Sequence, residues 1–498
     1  MEGTIMSFIL LLPVVLPMLA GAGVVFLPFR NRKARNLWIF ATVTGCSLVN
    51  AGLMLSRPAA AFTLAELTPE ISIAFRMDGL SIIFLALVSF LWPLASLYSF
   101  EYMEKEEHQA RFFGCYTACY GITAGVAMSA NMITLYLFVE LLTLITVPLV
   151  AHEGDRRSMR AARIYMVYSI GGAALSLIGI MLLIHRTGRA DFVFGGAAAG
   201  GNGDGLLTAA WMLTFLGFGV KAAIVPFHAW LPTAGVAPTP VTALLHAVAV
   251  VKSGVFAVIR STFFAFGPAM LAGTWGQKAA LIVTAATILY GSVTAFREQH
   301  IKRRLAYSTV SNLSYILFGA MLMTTAGLTA AMSHFLFHGV MKITLFFWAG
   351  AVIHRTGREY AIRLNGLAHR MPWTFAAYTV GALAMTGVPL LPGFVSKMNL
   401  IRAAADSGCG IYAYIGIAAL LCSALLMAGY LILPSVRAWI PRSEPQPVFT
   451  ERDRDPGWRM LTVLAVLCIA MLVLGCCSVP VMNTLEALIA GGTGGGMI

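Results

Sequence analysis

Long apolar runs separated by short polar or basic loops recur from one end of the chain to the other. A helix that crosses a bilayer needs about 20 mostly apolar residues. Fourteen segments qualify: 5–27, 37–55, 79–100, 112–129, 131–150, 162–184, 207–225, 240–261, 279–296, 306–323, 327–351, 374–405, 411–434 and 457–478. Two of them carry breaks. In the seventh, Pro226 and Pro232 follow Lys221, and in the twelfth Pro389, Pro392 and Gly393 precede Lys397. Proline removes a backbone donor and crowds the preceding turn, so both segments are predicted to be interrupted helices. No polar block is long enough to fold separately, and the chain reads as an all-α membrane protein.

The seventh and twelfth segments are five apart, and five is odd, so equivalent helices would cross in opposite directions. That is the inverted-topology repeat of secondary transporters. The predicted units are residues 111–262, holding helices four to eight, and 263–436, holding helices nine to thirteen. Residues 1–110 precede them with three helices, and 437–498 follow with a loop and the fourteenth. Local kinks without symmetry are the alternative.

Composition narrows the class. Of 498 residues 59% are hydrophobic and 11% charged, against about 25% charged in soluble proteins. The net charge of +13 would suit nucleic acid, but the basic residues sit in short loops rather than on one face, so no nucleic-acid partner is expected. By the rule that cytoplasmic loops collect Lys and Arg, they set orientation instead. Loops after odd-numbered helices hold 23 basic residues, among them Arg30 to Arg35, Arg156 to Arg163, Lys302 to Arg304 and Arg437 to Arg459; loops after even-numbered ones hold seven. The odd loops are therefore expected in the cytoplasm and both termini outside, in the inner membrane of a cell. The first run lacks a basic leader and a small-residue cleavage site, and is read as a retained helix. The eight cysteines lie mostly in apolar runs and read as small hydrophobes. Cys115 and Cys119 could share a face, but two thiols make an incomplete metal site. No cofactor or metal is expected on this chain: it has no dinucleotide-binding glycine motif, cysteine cluster or flavin site.

Four basic residues remain: Lys221, Lys252, Lys342 and Lys397, all inside apolar runs, with Glu140 in the middle of LYLFVELLTL. A charge at mid-membrane costs about 2.5–3.5 kcal/mol on insertion scales. Burial disfavours the charged form of a lysine and a nearby carboxylate restores it, so a carboxylate that moves loads or releases a proton. Glu140 and Lys221 form the natural pair, the alternative being a static ion pair that only holds helices together. His246 and Lys252 share TPVTALLHAVAVVKSGVF. On a continuous helix they would differ by about 240° and 9 Å, as successive stations, although an intramembrane histidine can also be a plain interhelical contact. In SHFLFHGVMKITLFFW, His334, His338 and Lys342 recur at i, i+4, i+8 and share a helix face. A hydrated path is favoured over zinc, because no HExxH glutamate is present. Lys397, beyond the second break, reads as the last station rather than as a lysine snorkelling to the interface.

With these residues in view, the chain resembles the antiporter-like subunits shared by respiratory complex I, Mrp-type cation/proton antiporters and energy-converting membrane hydrogenases. The resemblance covers roughly residues 75 to 435. It rests on MDGLS, the mid-helix Glu140, VKAAIVPFHAWLP, APTPVTALLHAVAVVKSGVF, KRRLAYSTVSNLSYI, HFLFHGVMKITLFFWAG and GVPLLPGFVSKMNL, in that order. It implies fourteen helices, two inverted five-helix repeats and a lateral hydrophilic axis. It also implies a glutamate–lysine pair at Glu140 and Lys221, relays at Lys252 with His246 and at Lys342 with His338, and an exit lysine at Lys397. A lysine at that last position is similar to D-type Mrp and L-type complex I subunits. The chain ends about 20 residues after the fourteenth run, without the long lateral helix of the L-type, which favours the D-type.

The expected function is proton translocation within a multisubunit membrane complex, driven by a redox partner of hydrogenase or NADH/quinone dehydrogenase type with a peripheral iron–sulfur arm. The alternative is a D-type subunit of an Mrp Na+/H+ antiporter, and a third class is a stand-alone solute carrier. Partners expected are other integral membrane subunits, protons, sodium in the antiporter reading, and the lipid bilayer.

Overall fold

The computed structural model describes residues 9–58, 61–68, 71–196, 204–441 and 449–491. The start of the first predicted run and Arg442 of the last basic loop lie outside them. The chain is a stack of helices: α1 Leu12–Phe26, α2 Arg32–Ser56, α3 Gly79–Tyr102, α4 Gln109–Met128, α5 Met132–Val150, α6 Arg156–Thr187 and α7 Gly205–Lys221. These are followed by α8 Thr239–Ala247, α9 Val250–Arg260, α10 Trp275–Arg297, α11 Ile301–Met321, α12 Thr325–Thr356, α13 Pro372–Thr386 and α14 Pro392–Ala405, then α15 Ile411–Met427, α16 Leu433–Trp439, α17 Trp458–Cys476 and α18 Ser478–Gly491. An antiparallel hairpin, β1 Phe62–Thr68 with β2 Ile71–Phe75, joins α2 to α3.

Among the described residues nine helices are long and apolar enough to cross a membrane, and α1 and α7 are shorter apolar helices. The helical stretch 239–266 is wholly buried, and α12 is 89% buried over its apolar window, whereas α17 is 33% buried. α8, α9 and α12 thus lie inside the bundle, with α4 and α11 also enclosed, and they carry five of the eight predicted site residues. α12 runs unbroken for 32 residues, from Thr324, whose hydroxyl accepts from Gly327 N, to Gly357, which turns the chain at φ 66°.

Three interruptions matter for the site. After Lys221 the chain turns through Ala223 at φ 57°, and the backbone groups freed there find partners: Trp230 Nε1 donates to Val220 O at 2.7 Å, and Val225 N to Thr287 Oγ1 at 3.1 Å. After Thr386 it turns through Gly387 and Leu390, both at positive φ. Between Ala247 and Val250 the helix slips: Val248 N and Ala249 N both donate to Leu244 O. That last break corrects the expectation of one continuous helix through His246 and Lys252. It occurs without proline, so no residue type announces it.

Two boundary expectations also change. Lys302 and Arg304, expected in a loop, lie on the first turn of α11 and are each only 8% exposed. α18 follows α17 directly, so helix continues beyond the fourteenth predicted run.

Candidate functional site

Glu140 stands mid-way along α5, which starts where Asn131 accepts from Thr134 N at 2.8 Å. Lys221 is the last residue of α7. Lys221 Nζ lies 2.9 Å from Glu140 Oε1 and donates to Val139 O at 2.8 Å and to the hydroxyl of Thr143. The ammonium therefore has a charged partner and two neutral acceptors, the condition under which a buried charge is tolerated. Gly254 of α9 fits against this end of α7, since a Cβ there would lie 2.7 Å from both Ala222 N and Lys221 Cβ.

Lys252, in the first turn of α9 and fully buried, donates to Phe335 O of α12 at 2.7 Å, with its ammonium 4.4 Å from the Phe335 ring. One residue before Phe335 on α12, His334 Nδ1 is 2.9 Å from Ser396 Oγ of α14 and its ring stacks on Tyr315 at 5.3 Å. The His334 and His338 rings are 5.8 Å apart. Lys342 Nζ donates to Ser308 Oγ at 2.9 Å and Leu305 O at 3.3 Å, and Tyr430 donates to the same Ser308 oxygen at 3.0 Å. His338 is within electrostatic reach of Lys252, Lys342, His334 and His246.

Both ring nitrogens of His246, both of His338 and Nε2 of His334 are buried without a protein hydrogen-bond partner. Buried polar atoms are normally satisfied, by protein or by ordered water. Five such nitrogens on three neighbouring imidazoles make this the part of the core best suited to holding water.

Lys397, 7% exposed, donates to Met385 O at 2.6 Å and Thr386 O at 2.9 Å. These are end carbonyls of α13, which have no partner within their own helix, so the ammonium caps the broken helix at the negative end of its dipole. Its Nζ is 5.7 Å from the Tyr315 ring, the ring on which His334 stacks.

The eight predicted residues thus fall into two groups. His246, Lys252, His334, His338, Lys342 and Lys397 form one cluster around α12, and Glu140 with Lys221 form a second, joined to the first through the close contact at Gly254. Among the described residues no hydrogen bond connects Lys221 to Lys252.

Two features escape a reading of the sequence. Arg260, counted there among loop charges, is fully buried and bound by Asp78 of MDGLS; its place at i+8 from Lys252 is the signal that was available. The other is a cleft of about 790 Å³ lined by residues that include Glu153, Arg157, Arg160, Lys302 and Glu359. Lys302 donates from its floor to Ala237 O at 2.7 Å, immediately before α8, and lies within electrostatic reach of His246. Desolvation in this cleft, with Asp155 beside it, raises the Glu153 carboxyl above its ordinary range.

A helical membrane-type fold with lysines and histidines buried in its core defines the class as an integral membrane protein with ionisable groups inside the bundle. Comparison with known proteins narrows the class. Residues 129–425 match the family described as NADH:quinone oxidoreductase/Mrp antiporter, transmembrane, and residues 66–113 match the N-terminal part of chain 5 of NADH-ubiquinone oxidoreductase (complex I). The chain belongs to this family of complex I and Mrp antiporter membrane subunits. It is 34% identical over 77% of its length to a probable K(+)/H(+) antiporter A/B subunit of Rhizobium meliloti, and covers 38% of that protein. It is 33% identical over 76% of its length to NADH-quinone oxidoreductase subunit L of Mycobacterium tuberculosis, covering 60% of it. The chain therefore spans less than two thirds of either relative. Its fold matches a chain of the membrane-bound sulfane sulfur reductase, an archaeal respiratory membrane complex, with a TM-score of 0.85, 22% identity and 97% of both chains covered.

Proposed function

We propose that this chain is the proton-translocating subunit of a multisubunit membrane complex. Protons move along a mid-membrane axis from Glu140 and Lys221 through Lys252, His246, His338, Lys342 and His334 to Lys397. One observation carries the reading: five of the eight ionisable groups lie on the stretch 239–266 and on α12, which the rest of the bundle encloses. Such groups are most costly deep in a membrane and are kept there for transport.

The chemistry follows from desolvation. A lysine removed from water holds its proton less tightly, and an approaching carboxylate restores its hold. Separation and closure of Glu140 and Lys221 then release and reload one proton, and the imidazoles hand protons on by exchanging which ring nitrogen bears hydrogen. Moving one charge through 100 mV takes about 2.3 kcal/mol. A pKa change of one unit is about 1.4 kcal/mol, so changes of a few units at buried lysines suffice.

In this reading the driving force comes from a redox partner of hydrogenase or quinone-dehydrogenase type with a peripheral iron–sulfur arm. A second reading, a D-type subunit of an Mrp Na+/H+ antiporter, is favoured by the 34% identity to a K(+)/H(+) antiporter protein. Both use the same axis. The architecture proposed for it has fourteen spans with inverted repeats at 111–262 and 263–436, flanked by 1–110 and 437–498. Both termini face outward from the inner membrane. Interruptions beside Lys221 and Lys397, five predicted spans apart, support the repeat. Copurification in mild detergent followed by flux measurement in proteoliposomes separates the readings. Proton uptake driven by a redox substrate supports the first, and proton movement driven by a sodium gradient supports the second. A solute carried by the purified chain alone would overturn both.

A further inference from the structure

The MDGLS segment plays no part in the axis just described, yet it holds a completely enclosed arginine. Asp78 starts α3 as its N-cap, its Oδ1 accepting from Ser81 N at 3.0 Å. Arg260 ends α9 and is 0% exposed. Its two terminal nitrogens donate to Asp78 Oδ1 and Oδ2, both at 2.6 Å, and one also donates to Ser81 Oγ at 2.9 Å. The rings of Phe192, Phe256 and Phe264 enclose the guanidinium at 5.4, 5.1 and 4.8 Å. The carboxylate also sits at the N-terminus of α3, the positive end of its dipole.

The helix so clamped is the short one that carries Lys252. Lys252, Phe256 and Arg260 recur at i, i+4, i+8, so they share one face. At its other end α9 is separated from α8 by the slip at Val248 and Ala249. It therefore has a joint at its start and an anchor at its end. Ser261–Phe266, which follows, is wound as a π-helix, the looser form that often accompanies functional sites.

We infer that Asp78 and Arg260 are positioning residues for proton transfer, fixing the far end of α9 so that Lys252 is held against Phe335 and opposite His338. The bidentate fork sets rotation as well as position, which a single hydrogen bond would not. The inference rests on Lys252 belonging to the axis. The titratable groups within electrostatic reach of Lys252 are His334 and His338 from α12; Asp78 reaches it only through Arg260.

The test uses membrane vesicles carrying the assembled complex, with Asp78→Asn, Arg260→Lys and the exchange Asp78→Arg/Arg260→Asp compared with wild type. Misplacing a reacting group by about 1 Å can cost roughly a hundredfold. Expected for Asp78→Asn and Arg260→Lys is therefore a loss of at least about tenfold in transport per assembled complex. Their pH profile should be displaced as well, because Lys252 no longer meets the same neighbours, and the exchange should return part of the rate. A role confined to stability would lower the amount of complex while leaving rate per complex and pH profile unchanged, and that result overturns the inference. It does so even if only a fraction of a poorly folding variant assembles. Wild-type transport in Glu140→Ala would instead remove the axis on which the inference stands.

Discussion

Lys221 Nζ and Glu140 Oε1 are 2.9 Å apart, yet the lysine side chain is 3% exposed and the glutamate 22%. The lysine is therefore the more enclosed member of the pair, and the glutamate is partly buried.

Substitution of either partner separates transport from assembly. Glu140→Ala leaves a buried lysine without its carboxylate, and breaking such a pair costs about 3–5 kcal/mol if the charge stays. Lysine can lose its proton instead, so the complex is expected to assemble at wild-type levels while translocation falls to background. Lys221→Ala should behave alike. Pump-dependent dye quenching in vesicles and native gels read the two quantities.

His338 tests whether an imidazole without protein partners is a relay or a contact. His338→Gln keeps hydrogen-bonding capacity but cannot titrate, and should slow translocation by about a hundredfold, in the range for loss of a proton-transfer group. Full activity in His338→Gln would mark the ring as a hydrogen-bonding contact only.

Lys397 combines two roles that substitution can divide. Lys397→Met frees the carbonyls of Met385 and Thr386, so both melting temperature and transport should fall. Lys397→Arg can cap the same carbonyls but keeps its proton at all working pH values. Thermal stability should then recover while transport does not.

His152, in the turn after α5, gives a pH signature outside the transport path. Burial, with Arg111 and His108 nearby, holds its imidazole down to about 4 from an ordinary 6.5. The unfolded chain therefore binds the proton more readily, and the His152 contribution to stability is full above about pH 6.5 and is lost as pH falls towards 4. His152→Phe should flatten melting temperature against pH in that window.

How far the sequence revealed the site depended on where each charge sat in its run. Lys221, Lys252, Lys342, Lys397 and Glu140 interrupt apolar stretches, where a charge has no neutral explanation, and all five are buried or partly buried. Arg260 and Lys302 stand at the ends of runs, where basic residues normally flank a span. Tertiary packing against Asp78 and Ala237 distinguishes them, and only Arg260 carries a sequence signal, its place at i+8 from Lys252. The slip at Val248 and Ala249 was equally hidden, because VAVV gives neither proline nor glycine, and the backbone shift is set by packing. Of the β hairpin, only the alternation in Phe62–Thr68 and Ile71–Phe75 hinted at strand, and it lay between two spans where a plain loop was expected.

Electron density for ordered water in the assembled complex is the most direct test of a conducting row. Water should bridge the free ring nitrogens of His246, His338 and His334 to Lys252 and Lys342, and continue to Lys397 on one side and to Lys221 on the other. Side chains packed against those nitrogens, with no water between the lysines, would contradict proton movement along this axis.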